Sequence, residues 1–133
     1  MPEANRPQFR NIHVSDLASY RLPLAGFVSI LHRISGLLLF VLLPFILYLL
    51  DSSLRSSGTF LYLQEFVKNP LVKLMILALS WAYLHHFCAG VRHLFMDRHL
   101  GLDKHSAKNS AVGVFVVSIP LAGLIALKLF GVI

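Results

Sequence analysis

Residues 34–50 read Ile-Ser-Gly-Leu-Leu-Leu-Phe-Val-Leu-Leu-Pro-Phe-Ile-Leu-Tyr-Leu-Leu, with no Asp, Glu, Lys, Arg or His. A helix rises about 1.5 Å per residue, so crossing a hydrocarbon core of about 30 Å takes about 20 residues of this kind. The run reaches about 25 residues if it starts at Gly26 and admits Arg33, whose long stem lets its charge snorkel to the headgroups. Two further stretches, Leu74 to Val91 and Asn109 to Leu127, also avoid Asp, Glu, Lys and Arg. None of the three alternates with period two, which argues against barrel strands. Lipid offers no partner to free backbone groups, so helices are the remaining solution. The fold class is therefore an all-α membrane protein. One domain over residues 1–133 holds three transmembrane helices, at approximately 26–51, 70–97 and 108–130.

The composition agrees. The chain is 56% hydrophobic and 14% charged, with mean hydropathy +0.71, whereas soluble domains average about 25% charged residues. The net charge of +6 would suggest nucleic acid in a soluble protein. Here the basic residues flank apolar runs, and no basic patch interleaves with exposed aromatics. The single cysteine, Cys88, lies inside an apolar run, cannot form an intrachain disulfide and reads as a small buried hydrophobe. Residues 1–22 are polar, with Arg6, Arg10 and Arg21. They lack both the apolar core of a secretory leader and the character of an organelle leader. A bacterial inner membrane is expected.

The connectors are short. Asp51 to Asn69 is rich in serine, Phe60 to Val67 reads as a short interfacial helix, and Pro70 opens the second span. Lys and Arg set the orientation. Arg6, Arg10, Arg21, Arg33, Arg92, Arg98, Lys104 and Lys108 fall on one side, against Arg55, Lys68, Lys73 and Lys128 on the other. The N-terminus is thus expected in the cytoplasm and the C-terminus in the periplasm. This topology gathers Ser29, His32 and Arg33 with Arg92, His93 and Asp97 in the inner leaflet.

Ionisable groups inside a membrane cost about 2.5–3.5 kcal/mol each at mid-helix, so they mark candidate sites. Ser29 and Arg33, at i and i+4, share a helix face and form a pair of donors suited to a carbonyl oxygen. On spacing alone the pair reads equally as a packing serine and a snorkelling arginine. His86 and His93 fall about 20° apart on one helix face, with Gly90 between them leaving room for a flat ring. Neutral imidazole is a common axial ligand of haem iron; the alternative is a histidine bonded to a neighbouring helix. His85 points about 100° away and is expected to meet a partner or an interface. His13, His99 and His105 lie in polar segments. No cysteine pair, His-Glu arrangement or phosphate loop supports a metal hydrolase or nucleotide enzyme. Asp97 reads as an ionic partner for Arg92, Arg98 or a neighbouring subunit.

The stretch Ser29-Ile-Leu-His32-Arg33-Ile-Ser-Gly36 resembles the S-x-x-H-R-x-[ST]-G motif of the cytochrome b556 membrane-anchor subunit of succinate dehydrogenase. His86-Phe-Cys-Ala-Gly90-Val-Arg92-His93 resembles that family's H-x-x-x-G-x-R-H motif, continued by Leu94 to Asp97. Arg6-Pro7 and Arg21-Leu-Pro23 also fit, and the resemblance covers nearly the whole chain. The tail between Arg6-Pro7 and Arg21 departs from the commoner spelling.

The resemblance implies a non-flavin subunit of succinate:ubiquinone oxidoreductase (complex II), an enzyme of the tricarboxylic acid cycle and electron transport. Its three helices would form half of a six-helix bundle with a second anchor subunit. His86 would be an axial iron ligand of haem b, with the other ligand on that partner. Ser29 and Arg33 would bind ubiquinone, and His32, Arg92 and His93 would lie near the haem propionates or the quinone. FAD and iron–sulfur clusters would reside in a flavoprotein subunit and an iron–sulfur subunit on the cytoplasmic face. The alternatives are a purely structural anchor without haem or quinone, and a small transporter subunit. The low polarity of the third span argues against transport.

Overall fold

The computed structural model describes Ser15 and residues 21–132. Four helices follow one another: α1 Leu24–Arg55, α2 Ser57–Val67, α3 Pro70–Asp97 and α4 Lys104–Leu129. No strand occurs among the described residues. α1, α3 and α4 are each long and apolar enough to cross a membrane. α3 has the bounds expected, while α1 runs past both ends of its expected span and α4 starts four residues earlier, because a helix continues until its backbone is capped, not until its apolar residues end. At about 1.5 Å per residue, the 32 residues of α1 exceed a core of about 30 Å. The Asp51–Arg55 ion pair, at i and i+4, occupies the overhanging end.

Local chemistry sets the boundaries. α2 begins a turn earlier than Phe60. The Ser56 hydroxyl caps it by accepting the Thr59 N–H at 3.1 Å, and the Thr59 hydroxyl donates to the Ser52 carbonyl at 2.6 Å. Asn69 caps α3 by accepting the Leu71 N–H at 2.9 Å, with Pro70 at the first helical position, where its missing N–H costs nothing. Asp103 caps α4, accepting the His105 and Ser106 N–H groups at 3.1 and 2.9 Å. α3 ends in a Schellman turn. His99 takes the left-handed conformation at φ 60°, and the Leu100 N–H reaches the Phe95 carbonyl at 3.1 Å. Pro44 and Pro120 lie within continuous helices.

α3 lies between α1 and α4, and all three helices touch. Val28, Ala89, Ala111 and Val114 form the buried cluster, with Leu24, Ala25, Cys88 and Phe115 against it. Cys88 is thus half-buried. Small residues meet at the seams while Phe40, Leu54, Val116 and Leu124 face outward. This is the packing of membrane helices, where association comes from close backbone approach and not from escape from water.

Candidate functional site

Chain direction brings the start of α1 and the end of α3 to the same end of the bundle. α1 presents His32, Ser35 and Gly36 to α3, spaced i, i+3 and i+4 on one face. α3 answers with His86, Gly90 and His93. The His32 ring stacks on His86 with centroids 4.2 Å apart and planes 14° apart. On its other side it meets His93 at 5.0 Å and 41°. The three imidazoles form one cluster between the helices.

Two glycines make room for it. A Cβ on Gly36 would lie 2.7 Å from His86 Cε1, closer than atoms tolerate, so only glycine admits that ring. A Cβ on Gly90 would lie 3.5 Å from His32 Nε2, so the flat ring beside this glycine is the His32 imidazole.

The hydrogen bonds assign the protons. His86 Nδ1 lies 3.0 Å from the His32 carbonyl oxygen. A carbonyl only accepts, so Nδ1 carries a hydrogen, and Nε2 is the ring nitrogen left without a hydrogen-bond partner among the described residues. The Ser35 hydroxyl donates to the same carbonyl at 3.0 Å. Its oxygen is then available to accept from His86 Nδ1–H at 3.2 Å. Such outer partners orient a ligating histidine and fix its tautomer.

Ser29 and Arg33 sit on the flank of α1 beside this cluster, about 40° apart around the helix. Ser29 is half-buried and Arg33 exposed. Arg92 Nε donates to Ser110 Oγ at 3.0 Å and one terminal nitrogen to the Ala107 carbonyl at 3.3 Å, both on α4. The ion pairs among the described residues are Asp51–Arg55 and Glu65–Lys68, so Asp97 does not pair with Arg92 or Arg98. Arg6, Arg10 and His13 lie outside the described residues.

His85, expected at a partner or an interface, is 1% exposed, packed between Trp81 and Phe115 with centroids 5.4 Å from each. Ala82, His85, Ala89 and Arg92 are the buried residues of α3. Their 3-4-3 spacing is one helix face, which meets α4 at His85 and Arg92 and packs with Val28 of α1 and Ala111 and Val114 of α4 at Ala89. The polarity of His85 and Arg92 concealed that stripe. Ser35 carried a signal too, three residues from His32 on the inward face. Among the described residues, no three His, Cys, Asp or Glu side chains converge as a metal cage. A metal held here would need ligands beyond these residues.

A family model described as succinate dehydrogenase/fumarate reductase transmembrane subunit matches residues 5–125. The chain belongs to this family. A succinate dehydrogenase cytochrome b556 subunit of Coxiella burnetii is 38% identical over 113 residues, 82% of this chain and 90% of the relative. The Paracoccus denitrificans protein of the same name is 33% identical over 126 residues, covering 95% and 93%. That of Rickettsia felis is 33% identical over 109 residues, covering 82% and 85%. As a transmembrane subunit of this family, the chain has the three spans its composition requires, and its histidine cluster lies where α1 and α3 cross.

Proposed function

We propose that this chain is the haem b-binding anchor subunit of a bacterial succinate:ubiquinone oxidoreductase, contributing to quinone reduction. The observation that carries the reading is the pair of hydrogen bonds at His86 Nδ1. Nδ1–H is spent on the His32 carbonyl and Ser35, which leaves Nε2 as the oriented nitrogen free for a metal. That is the form in which imidazole binds haem iron. One donor from this chain implies the second from a partner anchor subunit, and the names of the relatives support a b-type haem. Bound there, haem b would supply one-electron storage. His32, stacked on the ligand, and His93, beside His32, have ring N–H groups to offer propionates.

Ser29 and Arg33 are the residues for ubiquinone. A hydroxyl and a guanidinium on one face would stabilise charge developing on a quinone oxygen, most strongly where water is sparse. The flavoprotein and iron–sulfur subunits, with FAD and the clusters, would dock on the cytoplasmic side. The bias of Lys and Arg supports that side for the histidine end, with the N-terminus cytoplasmic and the C-terminus periplasmic in the inner membrane. Succinate oxidation would take place in those soluble subunits, so this chain is not catalytic alone.

The test is a reduced-minus-oxidised spectrum of the purified complex. A b-type difference spectrum is expected, lost or shifted in His86→Ala. An unchanged spectrum removes His86 as a ligand; absence of any such spectrum in the wild type favours a purely structural anchor.

A further inference from the structure

Away from the histidine cluster, on the α3–α4 seam, a cavity of about 510 Å³ opens between the helices. Its walls are largely apolar, including Phe87, Val91 and Val117, and its polar groups are Arg92, Ser106 and Ser110. Gly113 keeps the middle open, since a Cβ there would meet nothing within 4 Å. Arg92 is 6% exposed. Nε and one terminal nitrogen are bonded to α4, while Nη1 has no hydrogen-bond partner among the described residues. No carboxylate among those residues pairs with it. Arg92 stands five residues before the end of α3, about 7.5 Å along the helix axis, a depth suited to the headgroup boundary. A fixed guanidinium without an internal counter-anion, at the mouth of an apolar cleft, is complementary to one kind of molecule: a phosphate on an acyl chain.

The geometry points to a specific site for an anionic phospholipid, its phosphate on Arg92 with Ser106 and Ser110 beside it, and one acyl chain along Phe87, Val91 and Val117. Two bonds to α4 hold the guanidinium ready, so little side-chain freedom is lost on binding.

The test uses the intact complex, delipidated in detergent and titrated with phosphatidylglycerol in native mass spectrometry. The tightest-bound lipid is the one scored. The wild type is expected to retain one phosphatidylglycerol per copy of this chain, against phosphatidylcholine and against excess inorganic phosphate. Arg92→Gln should weaken that binding about ten-fold, the scale of one charge-assisted hydrogen bond. Gly113→Leu, whose Cβ would meet nothing within 4 Å and whose side chain would occupy the cleft, should weaken it by at least as much. Equal retention in all three proteins overturns the site, as does phosphatidylcholine binding as tightly or displacement by inorganic phosphate. Release of another subunit by Gly113→Leu with lipid binding unchanged also overturns it, because the cleft would then be a protein interface. If Arg92→Gln fails to assemble, Gly113→Leu decides alone.

Discussion

The His86 imidazole is held through one nitrogen, and its two partners differ in kind. The His32 carbonyl is backbone and survives most substitutions, whereas the Ser35 hydroxyl can be removed. In Ser35→Ala the haem is expected to remain, because the carbonyl still fixes the tautomer. On the proposed ligation, His86 becomes a weaker donor and the midpoint potential should rise by about 20–60 mV, the electrical equivalent of one ordinary hydrogen bond. Redox titration of the purified complex reads this directly; an unmoved potential would assign Ser35 to packing alone. Gly36 is more demanding. The Cβ of Gly36→Ala would meet His86 Cε1 at 2.7 Å, so the ring must move or the helices part, at about 1–3 kcal/mol. Loss of haem on purification and a lower melting temperature are expected. Gly113→Ala meets no atom and should melt at or above the wild-type temperature.

At the level of elements, the histidine end is closed by the turn between α3 and α4, and that turn depends on Asp103. Its carboxylate accepts two N–H groups of the first turn of α4. The Ser106 hydroxyl and N–H, and then the His105 N–H, hold its pKa below the ordinary value of 3.8. A depressed carboxylate pKa stabilises the fold above the unfolded-state value and loses that contribution as pH falls through the folded one. The start of α4 should therefore be insensitive to pH near neutrality and loosen only below about pH 4. Asparagine caps equally well but does not titrate in this range. Hydrogen exchange at His105 and Ser106, compared between wild type and Asp103→Asn, should diverge only in that acid window. Parallel profiles would show that the charge of the cap is immaterial.

For the molecule as a whole, small residues meet inside and large ones face out, so function depends on which helix faces which. α3 uses two faces: His86, Gly90 and His93 toward α1, and His85 and Arg92 toward α4. The first carries the proposed redox site, and Ser29 and Arg33 lie beside it. Arg33→Leu is expected to lower succinate–quinone activity about 10²-fold and Ser29→Ala by about 10-fold, the range seen for donors to a developing oxyanion. Succinate oxidation by a soluble dye should persist in both. Equal loss of the two activities would indicate failed assembly.

The apolar runs determined the three spans before any contact was known, because a bilayer admits few backbone solutions and lysines and arginines resist crossing it. The seven-residue step from His86 to His93 likewise determined that they share a face, since helical geometry is local. Tertiary structure decided what each face meets. Nothing in the spacing of Ser35 says that its hydroxyl completes the His86 network, because that bond spans 51 positions of the chain. His85 was expected to meet a partner or an interface, and its polarity and that of Arg92 hid a buried stripe. Only the packing of α4 shows that both are enclosed. Periodicity tells which residues point together; it does not tell which helix will cover them.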